Sequence, residues 1–262
     1  MNHLRPIAIV TGSGTGVGAA IAHKLADSGW NLVVNYTRSI DAARQTAEEL
    51  QGRGAEVLLV QADIAIDADC RRLAAEAEDK WGRIDGLVNN AGVTRFCPAA
   101  DLDGLEAQDF QRVMGVNVVG TYQMTRACVP ALRKSDCGSV LNISSQAGFS
   151  GLGSSIAYAA SKAAINNMTL ALARALAPEI RVNALCPGFV NTRWVKGGMD
   201  DATYERFQKH INEMTPLGRM TEAEEVAETA HFLLTTRAPI TGELLGIDGG
   251  NHLTVNAPNF EP

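Results

Sequence analysis

Short apolar runs and helical patterns alternate along the whole chain. Residues 6–10 form a wholly apolar run, typical of a parallel strand that is buried on both faces. Similar runs recur at 31–36, 56–61, 86–89, 139–143, 181–185 and 244–247. Between them, helical patterns occupy 16–28, 40–51, 66–80, 103–133, 156–177 and 221–235. This alternation predicts an α/β fold, a doubly wound sheet of about seven parallel strands with helices on both faces.

The domain organisation is expected to be simple. No low-complexity linker or shift of composition divides residues 1–255, so we expect a single domain followed by a tail at 256–262. Two connections are long, at 93–104 and at 188–220. Ligands of doubly wound sheets sit beyond the carboxyl ends of the strands, so these connections are predicted to wall a pocket. The segment 188–220 is the candidate substrate loop.

A glycine-rich turn follows the first predicted strand and opens the first helix. Glycines allow a backbone to turn sharply and to approach a pyrophosphate, and a helix amino end offers N–H groups to an anion. The position in the first βα turn favours a dinucleotide over a ligand-free turn. The exact register of the motif stays open, because residues 14–19 also fit a Gly-x-Gly-x-x-Ala pattern. The candidate cofactor contacts here are Gly12, Ser13, Thr15, Gly16 and Val17.

The end of the second strand bears on the choice between NAD and NADP. An acidic residue there would bond the ribose 2′-hydroxyl of NAD. This chain instead has Tyr36, Thr37, Arg38 and Ser39, a guanidinium and hydroxyls that suit a 2′-phosphate. We therefore expect NADP(H) rather than NAD. The alternative is that Arg38 is a solvated residue at a helix start.

Tyr158 and Lys162 lie four residues apart within a strong helical pattern. Their side chains therefore stand about 40° apart around the helix axis, on one face. Reduction of a ketone needs a proton donor, and a phenol with a pKa near ~10 is slow in that role unless a neighbouring ammonium favours the phenolate. A Tyr–Lys pair alone is weak evidence, because this spacing also arises by chance.

Further polar residues follow the ends of predicted strands. Ser145 stands thirteen residues before Tyr158, just past the strand at 139–143, and Asn117 lies in the preceding helical pattern. The runs Asn89-Asn90-Ala91-Gly92 and Asn183-Ala184-Leu185-Cys186-Pro187-Gly188 end two other strands. Jointly with the glycine turn and Gly246-Ile247-Asp248-Gly249-Gly250, these motifs resemble the classical short-chain dehydrogenase/reductase family over nearly the whole chain.

The resemblance implies a Rossmann-type fold and a role for each matched residue. Tyr158 would be the general acid/base, and Ser145 would bond the substrate oxygen. Lys162 would hold the nicotinamide ribose and lower the pKa of Tyr158, and Asn117 would anchor a water that relays protons. The implied cofactor contacts, besides the glycine turn and residues 36–39, are Asp63 at the adenine, Val190 and Thr192 at the carboxamide, and Ile64, Asn90, Ala91, Gly92, Tyr158, Lys162, Pro187 and Gly188.

Two of these assignments have structural alternatives. Ser144 competes with Ser145, although the spacing and the following Gly148 favour Ser145. Asn117 is also able simply to satisfy backbone groups.

Composition narrows the ligands and partners. A formal net charge of −6 and a pI near 5.4 argue against a nucleic-acid or anionic-membrane surface. The histidines and cysteines lack ligand spacing, so no metal site is expected, and the histidines are read as surface or core residues. The amino terminus shows no secretory pattern and no apolar stretch reaches a membrane span, which favours a cytoplasmic protein.

The substrate is expected to be a small carbonyl compound or secondary alcohol. Residues 90–95 and 216–219 resemble the 3-oxoacyl-[acyl-carrier-protein] reductase branch of the family. Asp136 and Glu179 stand where those reductases carry docking arginines, which favours a free carbonyl compound over an acyl-carrier substrate. Apolar residues of the two long connections either line a substrate pocket or pack the loops onto the body, namely Phe96, Phe189, Trp194, Met199 and Phe207.

Two helical patterns, at 110–133 and 156–177, carry small and apolar residues around much of their circumference. Such helices need a second partner besides the sheet, which predicts a homo-tetramer or homo-dimer. Two other functions remain open: an NAD-dependent alcohol, sugar or steroid dehydrogenase, and a catalytically silent dinucleotide-binding scaffold. The scaffold is disfavoured because both Tyr158 and Lys162 are present.

Overall fold

The computed structural model describes residues 5–197 and 199–253, so the predicted tail at 256–262 lies outside the described residues. The strands are β1 (Ile7–Val10), β2 (Asn31–Tyr36), β3 (Val57–Gln61), β4 (Gly86–Asn89), β5 (Ser139–Ile143), β6 (Arg181–Pro187) and β7 (Leu244–Ile247). The helices are α1 (Gly16–Asp27), α2 (Ile40–Gly52), α3 (Asp67–Trp81), α4 (Ala107–Met114), α5 (Thr121–Leu132), α6 (Ala147–Ser150), α7 (Ile156–Leu176), α8 (Arg193–Lys196), α9 (Asp201–Met214) and α10 (Ala223–Thr235).

The seven strands form one parallel sheet in the order β3-β2-β1-β4-β5-β6-β7. This confirms the predicted doubly wound α/β fold. The chain first runs outward from β1 to β3 and then returns to place β4 on the other side of β1. The connections leave in opposite directions at this point, which opens a crevice beyond the carboxyl ends of β1 and β4.

Alternate residues of the strands supply two separate cores, one on each face of the sheet. Ala8 and Val10 pack with α1, α2 and α10, whereas Ile9 packs with α3, α5 and α7. The strands are buried on both faces, and this is why they read as continuous apolar runs in the sequence. No helix formed by the described residues is both long and apolar enough to span a bilayer.

The amino edge of the sheet is held by a buried carboxylate. Asp85 is fully buried and accepts hydrogen bonds from the Ile7 amide at 2.8 Å, the Ser135 hydroxyl at 2.5 Å and the Arg83 guanidinium. A buried charge is tolerated only with such partners. The network fixes the starts of β1 and β4 relative to each other and leaves the opposite edge for ligands.

The helix predicted over 103–133 differs from the structure in two ways. It begins at Ala107, because the side chains of Glu106 and Asp109 form a reciprocal capping box there. It is also interrupted at Gly115–Gly120 by a π-helical turn, which separates α4 from α5. Such insertions occur often at functional sites, and this one carries Asn117.

The segment 188–220 is more ordered than a plain connection, because it contains α8 and α9. The Asp200 side chain accepts a hydrogen bond from the Thr203 amide and so caps the amino end of α9. Tyr204 donates a hydrogen bond to the Asn191 side chain at 2.5 Å, which ties α9 back to the residues after β6. The segment is therefore a helical cover beside the carboxyl ends of the strands.

Candidate active site

A cavity of about 1460 Å³ lies beyond the carboxyl ends of the central strands. Most of the predicted site residues line it, namely Gly12, Thr15, Gly16, Val17, Tyr36, Thr37, Arg38, Ser39, Asp63, Ile64, Asn90, Ala91, Gly92, Ser145, Tyr158, Lys162, Pro187, Gly188, Val190 and Thr192. Two predicted residues, Ser13 and Asn117, do not line it. The volume exceeds that of an ordinary small-molecule pocket, so it suits a dinucleotide and a substrate together.

The glycine turn forms one wall of this cavity. Gly12 has a φ of +63°, and a Cβ added to it would lie 3.0 Å from the Ala91 Cα. A Cβ added to Gly18 would lie 2.5 Å from the Asn90 side chain. The first turn of α1 carries no acidic residue, so its amino end presents positive potential to the cavity. The turn thus has the close backbone approach and the anion-binding helix end that a pyrophosphate requires.

Ser13 does not face this cavity. Its side chain is completely buried, where the hydroxyl donates to the Val10 carbonyl at 2.7 Å and accepts from the Asn35 amide at 3.1 Å. The Ser13 amide also bonds the Asn35 carbonyl. The structure therefore does not place the Ser13 side chain at the cavity, and its contact with the cofactor stays a prediction. Its hydroxyl and amide groups already form hydrogen bonds within the protein, and these bonds connect the glycine turn to β2.

Thr11 and Asn90 join the glycine turn to the end of β4. The Thr11 hydroxyl accepts the backbone amides of Asn90 and Ala91, both at 3.0 Å. In return, the Asn90 side chain donates to the carbonyls of Thr11 at 2.9 Å and Gly12 at 3.2 Å. These bonds set the width of the crevice at the point where the strand order reverses.

Arg38 and Thr37 form the rim of the cavity beyond β2. The Thr37 hydroxyl donates to the Ala62 carbonyl at 3.2 Å, which steadies the strand end. Arg38 is exposed, and among residues 5–197 and 199–253 its guanidinium has no hydrogen-bond or ion-pair partner. Its charge is consequently available to a ligand.

Tyr158 and Lys162 lie one turn apart on α7, as predicted. The Ser155 hydroxyl caps this helix by accepting the Tyr158 amide. The Lys162 Nζ stands 5.5 Å from the centroid of the Tyr158 ring and donates to the Ile143 carbonyl at 2.7 Å. Both side chains therefore face the cavity from the end of β5.

The pKa values of this pair are set mainly by burial. Burial raises the pKa of Tyr158 to about 12, and a hydrogen bond with Ser145 opposes this rise. Burial lowers the pKa of Lys162 to about 8. Lys162 is not among the groups that shift the pKa of Tyr158 in this structure, and the lowering by Lys162 stays a prediction. Desolvation of the phenol dominates, and the ammonium bonds the Ile143 carbonyl instead.

The structure separates the two candidate serines. Ser144 is buried, and its hydroxyl bonds the Lys162 carbonyl at 3.2 Å and the Asn166 side chain at 2.5 Å. The Ser145 hydroxyl accepts the Ala147 amide at 3.1 Å and is close enough to the phenol of Tyr158 to lower its pKa. Ser145 is thus the serine placed beside Tyr158.

Asn117 occupies the π-helical turn behind the cavity wall. Its side chain accepts the Val93 amide at 2.8 Å and donates to the Val93 carbonyl and the Ser161 hydroxyl, both at 3.0 Å. The side chain is therefore fully engaged in fastening the loop after β4 to α7. This matches the alternative that it satisfies backbone groups, although in a loop rather than in its own helix.

Apolar residues of the two long connections reach the other end of the cavity. Phe96, Phe189, Trp194, Met199 and Phe207 all line it, and the rings of Phe189 and Phe207 also pack edge to face with centroids 5.5 Å apart. Both interpretations from the sequence therefore apply: these residues line the cavity, and some of them also pack the segment 188–220 together.

Sequence reasoning missed two histidines at this end. His210 and His252 line the cavity, whereas the sequence placed the histidines only on the surface or in the core. The available signal was the i, i+4 spacing of Asp248 and His252, whose side chains meet at 2.8 Å. Asn35 was also missed and lines the cavity, where its side chain accepts the Gly12 amide.

Asp136 and Glu179, which the sequence compared with docking arginines, lie elsewhere. They precede β5 and β6, so they belong to the amino edge of the sheet, opposite the cavity. These two acidic residues do not border this cavity. They consequently carry no argument about what enters it.

Comparison with known proteins gives consistent matches over almost the whole chain. The model of a family described as enoyl-(acyl carrier protein) reductase matches residues 12–252. A Streptomyces violaceoruber protein named as a ketoacyl reductase of the granaticin polyketide synthase is 41% identical over 248 residues, which cover 95% of this chain and 96% of the relative. A 3-oxoacyl-[acyl-carrier-protein] reductase of Synechocystis is 37% identical over 93% of this chain and 96% of its own length.

Solved structures agree with these matches. A Burkholderia xenovorans protein described as a short-chain dehydrogenase/reductase has a TM-score of 0.88 and 42% identity, covering 95% of this chain and 98% of that one. A 7α-hydroxysteroid dehydrogenase solved with NADH and 7-oxo glycochenodeoxycholic acid has a TM-score of 0.85 and 30% identity, covering 94% and 93%. This chain belongs to the short-chain dehydrogenase/reductase family and is an NAD(P)-dependent oxidoreductase that acts on carbonyl or hydroxyl groups.

Proposed function

We propose that the protein uses NADP(H) to interconvert a carbonyl compound and a secondary alcohol, with Tyr158 as the general acid/base. The observation that carries the proposal is the shared cavity, in which Tyr158 and Ser145 line the same space as the glycine turn. The bound dinucleotide supplies or accepts the hydride.

Tyr158 is suited to give a proton in the reductive direction. With a pKa of about 12 it stays protonated at neutral pH, so the phenol is ready to protonate a developing alkoxide. The Ser145 hydroxyl is placed to bond the same substrate oxygen. Lys162, protonated below its pKa of about 8, favours the phenolate that remains after the transfer.

Asn117 supports this arrangement as a positioning residue. Its side chain holds the loop after β4 against Ser161, which lies between Tyr158 and Lys162 on α7. The water that the family resemblance places beside Asn117 remains a prediction.

The residues that follow β2 at the rim of the cavity favour NADP(H) over NAD. The exposed guanidinium of Arg38 has no partner within the described ranges, and no carboxylate stands at residues 36–39 to repel a 2′-phosphate. The steroid dehydrogenase relative is solved with NADH, so relatedness alone does not decide the cofactor.

A substrate carried on acyl carrier protein is the second candidate. It is favoured by the relatives named as ketoacyl reductase and 3-oxoacyl-[acyl-carrier-protein] reductase. A free carbonyl compound is our first choice, because the cavity holds exposed aromatic side chains beside Tyr158.

Replacement of the proposed proton donor tests the mechanism. Tyr158→Phe removes the hydroxyl and should lower turnover at least about a hundredfold while leaving cofactor affinity nearly intact. Turnover is followed by nicotinamide absorbance and affinity by fluorescence titration. Ser28→Ala, which removes an exposed hydroxyl at the carboxyl end of α1 outside the cavity, is the control and should behave as wild type. Wild-type turnover in Tyr158→Phe would refute the assignment.

Reversal of the charge at Arg38 tests the proposed preference for NADP(H) over NAD. Arg38→Glu should lower kcat/KM with NADPH relative to NADH about tenfold or more, because a carboxylate repels a 2′-phosphate and accepts a 2′-hydroxyl. Arg44→Glu makes the same charge change on α2 outside the cavity and should leave the ratio unchanged. A wild-type preference for NAD, or an unaltered ratio in Arg38→Glu, would count against NADP(H).

The charge state of Lys162 predicts a pH dependence. The folded pKa of about 8 lies below the ordinary value of 10.5, so the ammonium is present below pH 8 and is lost as the pH rises through that value. The dissociation constant of NADPH should therefore rise severalfold between pH 7 and pH 9.5. Lys162→Met should bind more weakly at pH 7 and show no inflection near pH 8. Lys80→Met, on the surface of α3, should keep the wild-type profile; a flat wild-type profile would contradict the prediction.

We also propose a homo-oligomer, with a tetramer as the expected form. Large apolar side chains on α4, α5 and α7 and in the turn between α4 and α5 are exposed in the single chain, namely Phe110, Val119, Tyr122, Ile156 and Leu170. Burial of this surface between subunits would stabilise the assembly. Light scattering should give about four times the 27.8 kDa chain mass, and a monomer would be the contrary result.

A further inference from the structure

The end of the cavity beyond Tyr158 is lined by large apolar side chains that the protein itself leaves uncovered. Phe96 is 52% exposed, Leu152 is 76% exposed and Trp194 is 44% exposed, and they come from three separate segments. Exposed apolar surface that converges on a concave site is typical of ligand binding. Since the three side chains surround one space, a single bulky apolar body is able to cover them together.

Trp194 sets the position of that body relative to the reacting group. Its ring centroid lies 6.4 Å from that of Tyr158, with the planes tilted by 47°. A rigid ring system in the cavity would pack on the indole and bring its own carbonyl beside the phenol. A short flexible chain would bury much less of the indole.

His252 adds a polar contact to this apolar wall. Asp248 is nearly buried and accepts the amides of Gly250 at 3.0 Å and His252 at 2.9 Å, while its carboxylate lies 2.8 Å from the His252 Nδ1. The imidazole is thereby fixed through one nitrogen, and within residues 5–197 and 199–253 no group bonds Nε2, which leaves it for a ligand. When both ring nitrogens carry a proton, Nε2–H is a charged donor.

The turn that carries His252 is packed on the catalytic frame. A Cβ added to Gly188 would lie 2.7 Å from the Asp248 Cβ, so the two backbones are in close contact. Gly188 follows Pro187, whose carbonyl accepts the Ser145 hydroxyl at 3.5 Å. The distance between His252 and the reacting end of the cavity is therefore fixed by the fold.

The charges of the cavity favour an acidic ligand. Among the described residues that line it, Asp63 is the only one with a carboxylate side chain, and it follows β3 on the cofactor side. Apart from Arg38 and Lys162, whose charges the proposed cofactor uses, the basic side chains that line the cavity are Arg112, Arg193, His210 and His252. This excess of positive charge stands out in a chain whose formal net charge is −6.

We propose that the substrate is a bulky, rigid apolar ketone, or its alcohol, that carries an acidic group remote from the reacting carbon. Its body packs on Trp194 and Phe96, and its acidic group bonds the Nε2 of His252. This inference rests on the proposed carbonyl reduction and adds the substrate class.

The test compares matched ketones with the recombinant full-length enzyme and NADPH. The probes are a fused bicyclic ketone with a propanoate side chain on the far ring, its methyl ester, and the small acyclic acid 4-oxopentanoate. The fused-ring acid should exceed its ester in kcat/KM at least about tenfold, the effect of one charge-assisted hydrogen bond. It should also exceed 4-oxopentanoate, which cannot cover the aromatic wall.

Two variants assign these preferences to residues. His252→Gln should reduce the acid-to-ester ratio to below about threefold, whereas His231→Gln, on α10 and outside the cavity, should leave the ratio unchanged. Trp194→Ala should lower kcat/KM for the fused-ring acid about tenfold relative to 4-oxopentanoate. Phe232→Ala, an equally exposed apolar residue outside the cavity, is its control.

The source of the acidic group is resolved by a second pair of probes, acetoacetyl thioesters of pantetheine and of 4′-phosphopantetheine. A strong preference for the phosphorylated thioester over both fused-ring compounds would indicate that His252 binds the phosphate of a 4′-phosphopantetheine carrier. That result would overturn the proposal that the substrate has a rigid apolar body. Equal kcat/KM values for the fused-ring acid and its ester would overturn the proposed contact between the acidic group and His252. An unchanged acid-to-ester ratio in His252→Gln would do the same.

The proposed function fails by a different result. If Tyr158→Phe keeps wild-type turnover, the mechanism is wrong whatever the substrate. If turnover requires Tyr158 but acid and ester react equally, the substrate class alone is wrong. Absence of NADPH oxidation with every ketone and thioester would contradict both.

Discussion

The hydrogen bonds between Thr11 and Asn90 are the interaction on which the site depends. Four hydrogen bonds connect the first glycine turn to the end of β4, at the place where the connections from β1 and β4 lead away in opposite directions. Each bond contributes only about 1 kcal/mol to stability. Their geometric effect is larger, because they hold the half of the sheet with Arg38 at a fixed distance from the half with Tyr158. A dinucleotide that spans the crevice needs both halves in register.

The reactive end of the cavity is maintained at a cost in stability. The shift of the Lys162 pKa from 10.5 to about 8 corresponds to about 3 kcal/mol against the charged side chain at neutral pH. A single hydrogen bond to the Ile143 carbonyl offsets part of the lost hydration. Tyr158 is likewise held as the neutral phenol by its surroundings. Desolvation in the free protein therefore disfavours the charged forms of both groups whose charges matter in the proposed reaction.

Periodicity and strand-end motifs predicted the sheet, its helices and most of the cavity lining, because these depend on local pattern and on the geometry of parallel strands. Ser13 shows the limit of a glycine motif: the pattern identifies a phosphate turn but does not say which side chain points inward. The pKa of Tyr158 shows a second limit, since residue spacing places a lysine nearby without describing desolvation. α9 was overlooked although Phe207, Ile211 and Met214 have helical spacing. The i, i+4 spacing of Asp248 and His252 indicates that these side chains meet, but only tertiary packing places His252 at the cavity.

The close packing of Gly188 on Asp248 has a consequence for how this enzyme can change over evolutionary time. The proposed proton donor sits on α7, whereas the aromatic and histidine contacts sit on the loop after β4, on α8 and α9 and on the last described turn. Mutations in those peripheral elements can alter which ketone fits while leaving the reacting groups in place. A side chain at residue 188 would instead push the histidine turn and the strand end apart together. A substitution at Gly188 would thus change the substrate specificity and the geometry of the reacting groups at the same time.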